Sequence, residues 1–168
     1  MATFFLLEVD LNTFDQIAFR SALGDHELKK REIQLVFDLD PGGWSEDEVW
    51  AAGTVVGRNG TCKNKAHLSF NYVSGLEIEV ITYLEGPSWH DDFVAPMSHY
   101  GIHCKTDDDF LDMYKQLGEI GNLVQQVHTL SHTNPYLLER GRKYEYAIFD
   151  TRHNNGSFTK IIRRIEGS

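Results

Sequence analysis

The chain has 168 residues, 41% of them hydrophobic and 12% aromatic, which excludes a disordered polymer and provides for one real core, or for two small units sharing one. Its 25 acidic and 16 basic residues give a formal charge of −9, which excludes nucleic acid as a partner for the surface at large, since phosphate binding needs clustered Lys and Arg. A dense basic cluster occurs at Lys160, Arg163 and Arg164, readable as a solvated strand face or as an anion site. No apolar run approaches the length of a membrane helix. The run Phe4–Leu7 has no preceding positive charge and is followed by Glu8 and Asp10, so it is not read as a leader. The expectation is a cytoplasmic protein with no membrane partner. Cys62 and Cys104 fall in neither a CxxC nor a CxxH pattern, which argues against a zinc finger and for two reduced thiols.

Along the chain, Phe5, Leu7, Val9 and Leu11 alternate with polar positions and predict a first strand. Thr13, with Gln16 at capping-box spacing, predicts a helix with Phe14, Ile17 and Ala18 on its apolar stripe, stopping at Gly24. A strand is expected over 32–40, then the turn Pro41-Gly42-Gly43, an acidic loop over 45–48, and strands over 49–56, 66–73 and 76–84. Residues 88–96, with Trp89-His90-Asp91-Asp92, read as a connector whose polar groups either reach a metal or do nothing.

After the connector the order repeats. His99–Cys104 predicts a strand, and Thr106 caps a helix whose first turn carries Asp107, Asp108 and Asp109, favourable against the helix dipole. That helix is expected to end at Leu117-Gly118. Strands follow over 123–130, 144–150 and 157–165, with a loop or bulge at His132-Thr133-Asn134-Pro135. Strand, capped helix and several strands therefore occur twice. The fold class is α+β: two βαβββ modules, 1–87 and 97–168, in pseudo-symmetric pairing that forms a curved mixed sheet around a cleft. Such a cleft is where a small molecule binds.

The string SHYGIHC before a capped helix ending in LG, the late YAIFD with a Gly-containing turn, and SGLEIEVITYLEGPS in the first module together resemble the vicinal oxygen chelate superfamily, which holds glyoxalases, bleomycin-resistance proteins and extradiol dioxygenases. The resemblance implies one divalent metal (Mn, Fe, Zn or Ni), a small-molecule partner and a homodimer. His99 stands at the second module's first-strand ligand position, and Gly75 plus four gives Glu79 at the first module's fourth-strand position.

The other two positions depart from the pattern. Leu6 or, two residues on and on the same face, Glu8 faces the first-module ligand position. Gly156 plus four gives Lys160, a cation where the resemblance implies a carboxylate, and better suited to an anionic ligand or an ion pair.

Two readings stand. In one, His99, Glu79 and Glu8 hold a metal that chelates neighbouring oxygens of a substrate, with Glu79 or His103 moving a proton. In the other, the chain is a metal-free binding or sequestering protein of the bleomycin-resistance kind, with Lys160 and Tyr146 on the ligand. Tyr144, Trp44 and Trp50 are further candidates for aromatic walls. The chain shows no G-x-S-x-G elbow, dinucleotide fingerprint or P-loop.

Overall fold

The structure, a computed structural model, describes residues 14–86 and 97–167. The expected strand over 4–11, the Thr13 cap, Leu6, Glu8 and the connector 88–96 lie outside the described residues.

The first module runs β1 (Gln16–Arg20), α1 (His26–Phe37), β2 (Ser45–Val55), β3 (Cys62–Val73) and β4 (Leu76–Glu85). The second runs β5 (Met97–Cys104), α2 (Asp107–Ile120), β6 (Asn122–Ser131), the short α3 (Pro135–Glu139), β7 (Lys143–Asp150), the short α4 (Arg152–Asn155) and β8 (Phe158–Glu166). The strands close into one mixed barrel in the order β1-β4-β3-β2-β6-β7-β8-β5. Within each module the first strand runs parallel to the last, β1 with β4 and β5 with β8. Two antiparallel seams, β1 with β5 and β2 with β6, join the modules.

The strands bury two different faces. Outward, Ile78 and Val80 of β4 pack with Ile33 of α1 and with Leu39, Ile17 and Trp44. Ile102, Ala147, Phe149 and Ile161 likewise receive Phe110 and Leu117 of α2. The alternate positions on the same strands point into the barrel, because successive strand side chains face opposite sides. Helix packing thus fixes the register that decides what lines the interior.

In the first module the structure shifts the expected elements. Residues 16–20 are strand, where a helix was expected: Ile17 and Phe19 face the α1 layer while Gln16 and Ala18 face in. Residues 26–37 are helix, where a strand was expected up to 40. HELKKREIQLVF lacks Gly and Pro and carries Lys29–Glu32 and Lys30–Glu27 ion pairs at i,i+3. Its apolar run misled because Leu35 and Val36 are exposed rather than part of a buried strand face. Asp38, with φ of 51°, turns the chain out of the helix.

Ser45–Glu48 belongs to β2 rather than to a loop. The second module follows expectation more closely. Thr106 and Asp109 form a reciprocal capping box at 3.0 and 3.1 Å. Gly118 does not stop α2, which continues to Ile120 and turns at Gly121. There the chain passes so near Asp150 that a Cβ would lie 3.1 Å from its carbonyl carbon. Among the described residues no helix is long and apolar enough to cross a membrane.

Candidate functional site: a charged cluster inside the barrel

The barrel encloses a cavity of about 780 Å³, within the range of small-molecule sites. Apolar side chains from β2, β3 and β4, among them Val49, Leu68, Phe70 and Ile81, make one wall. The lining is polar at Gln16 of β1, Glu77 and Glu79 of β4, His99 and His103 of β5, and Lys160 of β8.

Within the cavity lining the Glu79 carboxylate joins the two modules. Glu79 Oε2 lies 3.4 Å from His99 Nε2 and accepts a hydrogen bond from Lys160 Nζ at 3.4 Å. All three are buried: 3% exposed for Glu79, 2% for His99 and 7% for Lys160. Burial alone would raise the Glu79 carboxyl, but the Lys160 ammonium and His99 outweigh it and hold it down at about 2. Burial first, and then the Lys160 charge, push His99 down to about 4, so its ring is neutral at neutral pH. Tyr146 stands beside them, its ring centroid 5.8 Å from Lys160 Nζ. Burial, with Tyr83 and Glu79 nearby, keeps its hydroxyl protonated.

Registers define the counterpart of His99. Ala18 pairs with Glu79 in β1–β4, and Gly101 pairs with Lys160 in β5–β8. Glu79 therefore corresponds to Lys160, Ala18 to Gly101, and Gln16 to His99. The β1–β5 seam obeys the same relation, pairing Gln16 with Gly101 and Ala18 with His99. Sequence reasoning missed Gln16, because Phe14, Ile17 and Ala18 also match a helical stripe.

Gln16 is 2% exposed and donates to Glu77 Oε1 at 2.5 Å. Gly101 makes room for it, since a Cβ there would stand 2.8 Å from Gln16 Cβ. Glu77 also accepts from the Tyr72 hydroxyl at 2.6 Å. His103 connects this group to solvent, with Nδ1 2.8 Å from Asp15 and Nε2 3.9 Å from Glu77.

The aromatic expectations divide. Tyr144 and Tyr146 line the cavity, whereas Trp44 packs outside β4 beneath α1 and Trp50 is exposed. His132, expected in a loop, is latched to buried Asp47, with Nδ1 2.7 Å from Oδ2. Asp47 further accepts the Thr133 and Asn134 backbone N–H groups at 2.8 Å each, which fastens the end of β6 against β2.

Among the described residues, which leave out Glu8, the interior donors do not fit a divalent ion. The position symmetry-related to Glu79 supplies a buried cation, Lys160, in place of a second carboxylate. A second group, unforeseen from sequence, lies outside the barrel: His26, Glu46 and His67 bring ligand atoms within 4.8 Å of one another, a set able to hold a metal ion.

No protein-family model matches the chain, and no curated protein matches it in sequence. Among solved structures it is similar to a mutant of 4-hydroxymandelate synthase from Streptomyces coelicolor, at 12% identity and TM-score 0.49, over 92% of this chain and 49% of that one. The chain therefore spans about half the length of that protein. It is also similar to a hypothetical protein from Bacillus halodurans C-125, at 14% identity and TM-score 0.44 over 92% and 96% of the two chains. Methylmalonyl-CoA epimerase from Mycobacterium tuberculosis follows at 9% identity and TM-score 0.47, over 92% and 89%. The paired βαβββ modules and the closed mixed sheet are the α+β architecture expected from the sequence. Fold alone assigns no activity.

Proposed function

We propose that the chain is a small-molecule binding protein of the metal-free, resistance-like kind, using the barrel cavity as its ligand site. The observation that carries this reading is the Lys160–Glu79 ion pair at the centre of the cavity. It neutralises internally the charge that a chelated cation would otherwise neutralise. In this reading Lys160 and the Tyr146 hydroxyl offer donors to ligand oxygens, and the Phe70, Tyr83 and Ile81 side chains surround the ligand's apolar part.

Glu79 is a poor proton acceptor near neutral pH because its carboxyl is held at about 2. His103, nearer the solvent, is the group placed to exchange a proton with a bound molecule. Gln16 Oε1 and Asn64 Oδ1, on cavity-lining residues, are buried and accept no hydrogen bond from the described residues, which favours a ligand carrying donors of its own.

The test is thermal stabilisation by a panel of small phenols, hydroxy acids and keto acids in the presence of a chelator. A ligand at a hundred times its Kd adds about 2.7 kcal/mol, which raises Tm by roughly 5–10 °C for a chain of this size. Stabilisation that survives the chelator and is lost in Ala51→Phe, which fills the cavity, supports the reading. Stabilisation that requires added metal overturns it.

A group suited to a metal lies elsewhere, outside the barrel, at His26, Glu46 and His67. Its mixed imidazole and carboxylate donors suit Mn, Fe, Zn or Ni.

A further inference from the structure

The outer face of β2 and β3, beneath the start of α1, carries a cluster that the cavity does not use. His26 opens α1, Glu46 lies near the start of β2, and His67 sits in the middle of β3. None of the three lines the cavity. The two imidazoles stack with centroids 4.0 Å apart and planes at 14°. His67 Nε2 lies 2.8 Å from Glu46 Oε2. Ser69, fully buried between them, donates to that same carboxylate oxygen and lies 2.7 Å from His26 Nε2.

On the far side of the His26 ring, Nδ1 is 2.7 Å from Thr82 Oγ1, and Thr82 is bonded at 2.5 Å to Ser21. This outer hydrogen bond fixes the ring's orientation, as the second shell of a metal-binding histidine does.

We propose that His26, Glu46 and His67 form a zinc-class divalent metal site that clamps the N-terminal turn of α1 to β2 and β3. The donors are two imidazole nitrogens and one carboxylate oxygen from three separate elements, with ligand atoms within 4.8 Å of one another. A tetrahedral ion with bonds of about 2.0–2.2 Å needs such atoms roughly 3.3 Å apart, and because His26 is held on both sides, the half-buried His67 ring must turn out of its stack to aim its lone pair at the same ion. The Ser69 hydroxyl stands beside the remaining position, which it or a water would fill.

Lys30 opposes the ion. Its ammonium is 2.5 Å from the other Glu46 oxygen, Oε1, and also contacts Glu27 at 3.1 Å. The ion therefore shares a carboxylate with a cation on its other oxygen, and the repulsion between the two lowers the site's affinity. That repulsion predicts a response that casual surface binding would not show, since removing Lys30 should tighten the site.

The experiment is titration of chelator-stripped, dialysed protein with Zn²⁺ by calorimetry and with Co²⁺ by visible absorption. One equivalent binds in the native chain. His67→Ala, at a half-buried position, weakens binding more than tenfold and removes the tetrahedral Co²⁺ bands. Lys30→Met strengthens binding roughly tenfold, because a positive charge close to the ion is removed. Absence of stoichiometric uptake, uptake unchanged in His67→Ala, or an affinity unchanged or weakened in Lys30→Met each overturns the assignment. Failure of this site leaves the cavity reading untouched, because that reading requires no metal.

Discussion

Lys160→Met removes the ammonium that lets Glu79 stay ionised inside the barrel. A carboxyl moved from 4.5 to about 2 carries about 3 kcal/mol of stability at neutral pH, at about 1.4 kcal/mol per pH unit. Because Glu79 is 3% exposed, water does little to screen that contribution. Breaking a buried pair by deleting one partner costs about 3–5 kcal/mol, so the same size of loss is expected here. Glu79→Gln/Lys160→Met leaves neither charge behind and should recover about 2–3 kcal/mol of the summed single losses. Urea denaturation of the four chains at pH 7, followed by fluorescence and circular dichroism, reads each difference. A loss below about 1 kcal/mol for Lys160→Met, or simple additivity in the double variant, would refute the view that the ion pair organises the cavity.

Other expectations follow from single contacts. The depressed Glu79 carboxyl gives stability that is present above pH 4.5 and lost as pH falls toward about 2; His99, neutral when buried, adds a loss as pH falls from 6.5 toward about 4. Urea midpoints should thus decline from pH 6.5 downward, and Glu79→Gln should flatten the lower part of that decline. Gly101→Ala drives a methyl group into Gln16 and should cost about 1–3 kcal/mol, with Gln16→Ala restoring only part of it in a melting experiment, because the residue 16 Cβ that the methyl meets at 2.8 Å remains. Thr106→Ala deletes the capping-box acceptor of α2 and should cost about 1 kcal/mol by the same assay. Burial, with Asp109 and Asp15 nearby, pushes the Cys104 thiol up to about 11, so it should react with a thiol-specific disulfide reagent at pH 8 far more slowly than an unhindered thiol.

The doubled βαβββ order was legible because turn signals and alternation recur at similar spacing in both halves. The second module was also legible in detail: Thr106 and Asp109 are a local cap, and β5 alternates cleanly between inward His99 and outward Ile102. The first module was not. Residues 14–20 satisfy helical spacing and strand alternation alike, and pairing of β1 with both β4 and β5 decided between them. The apolar run 33–37 reads as strand until three-dimensional packing shows Ile33 inward and Leu35 outward. With β1 displaced, Gln16 could not be found as the partner position of His99. Glu79, His99 and Lys160 came from resemblance and spacing, and the structure brings them together through registers that no local signal encodes. His26 and His67 were invisible as a pair, because they stand 41 positions apart on helix and strand and meet only once α1 lies on the sheet.

The central claim is that Lys160 takes the place of a metal inside the barrel. Elemental analysis tests it most directly, on protein carrying His67→Ala to silence the outer cluster and incubated with Mn, Fe, Zn and Ni before desalting. With Lys160 intact the account predicts no stoichiometric metal. Lys160→Glu, which places a fourth donor beside Gln16, Glu79 and His99, should take up about one equivalent. Near-stoichiometric metal in the chain that keeps Lys160, abolished by His99→Ala, would contradict the account.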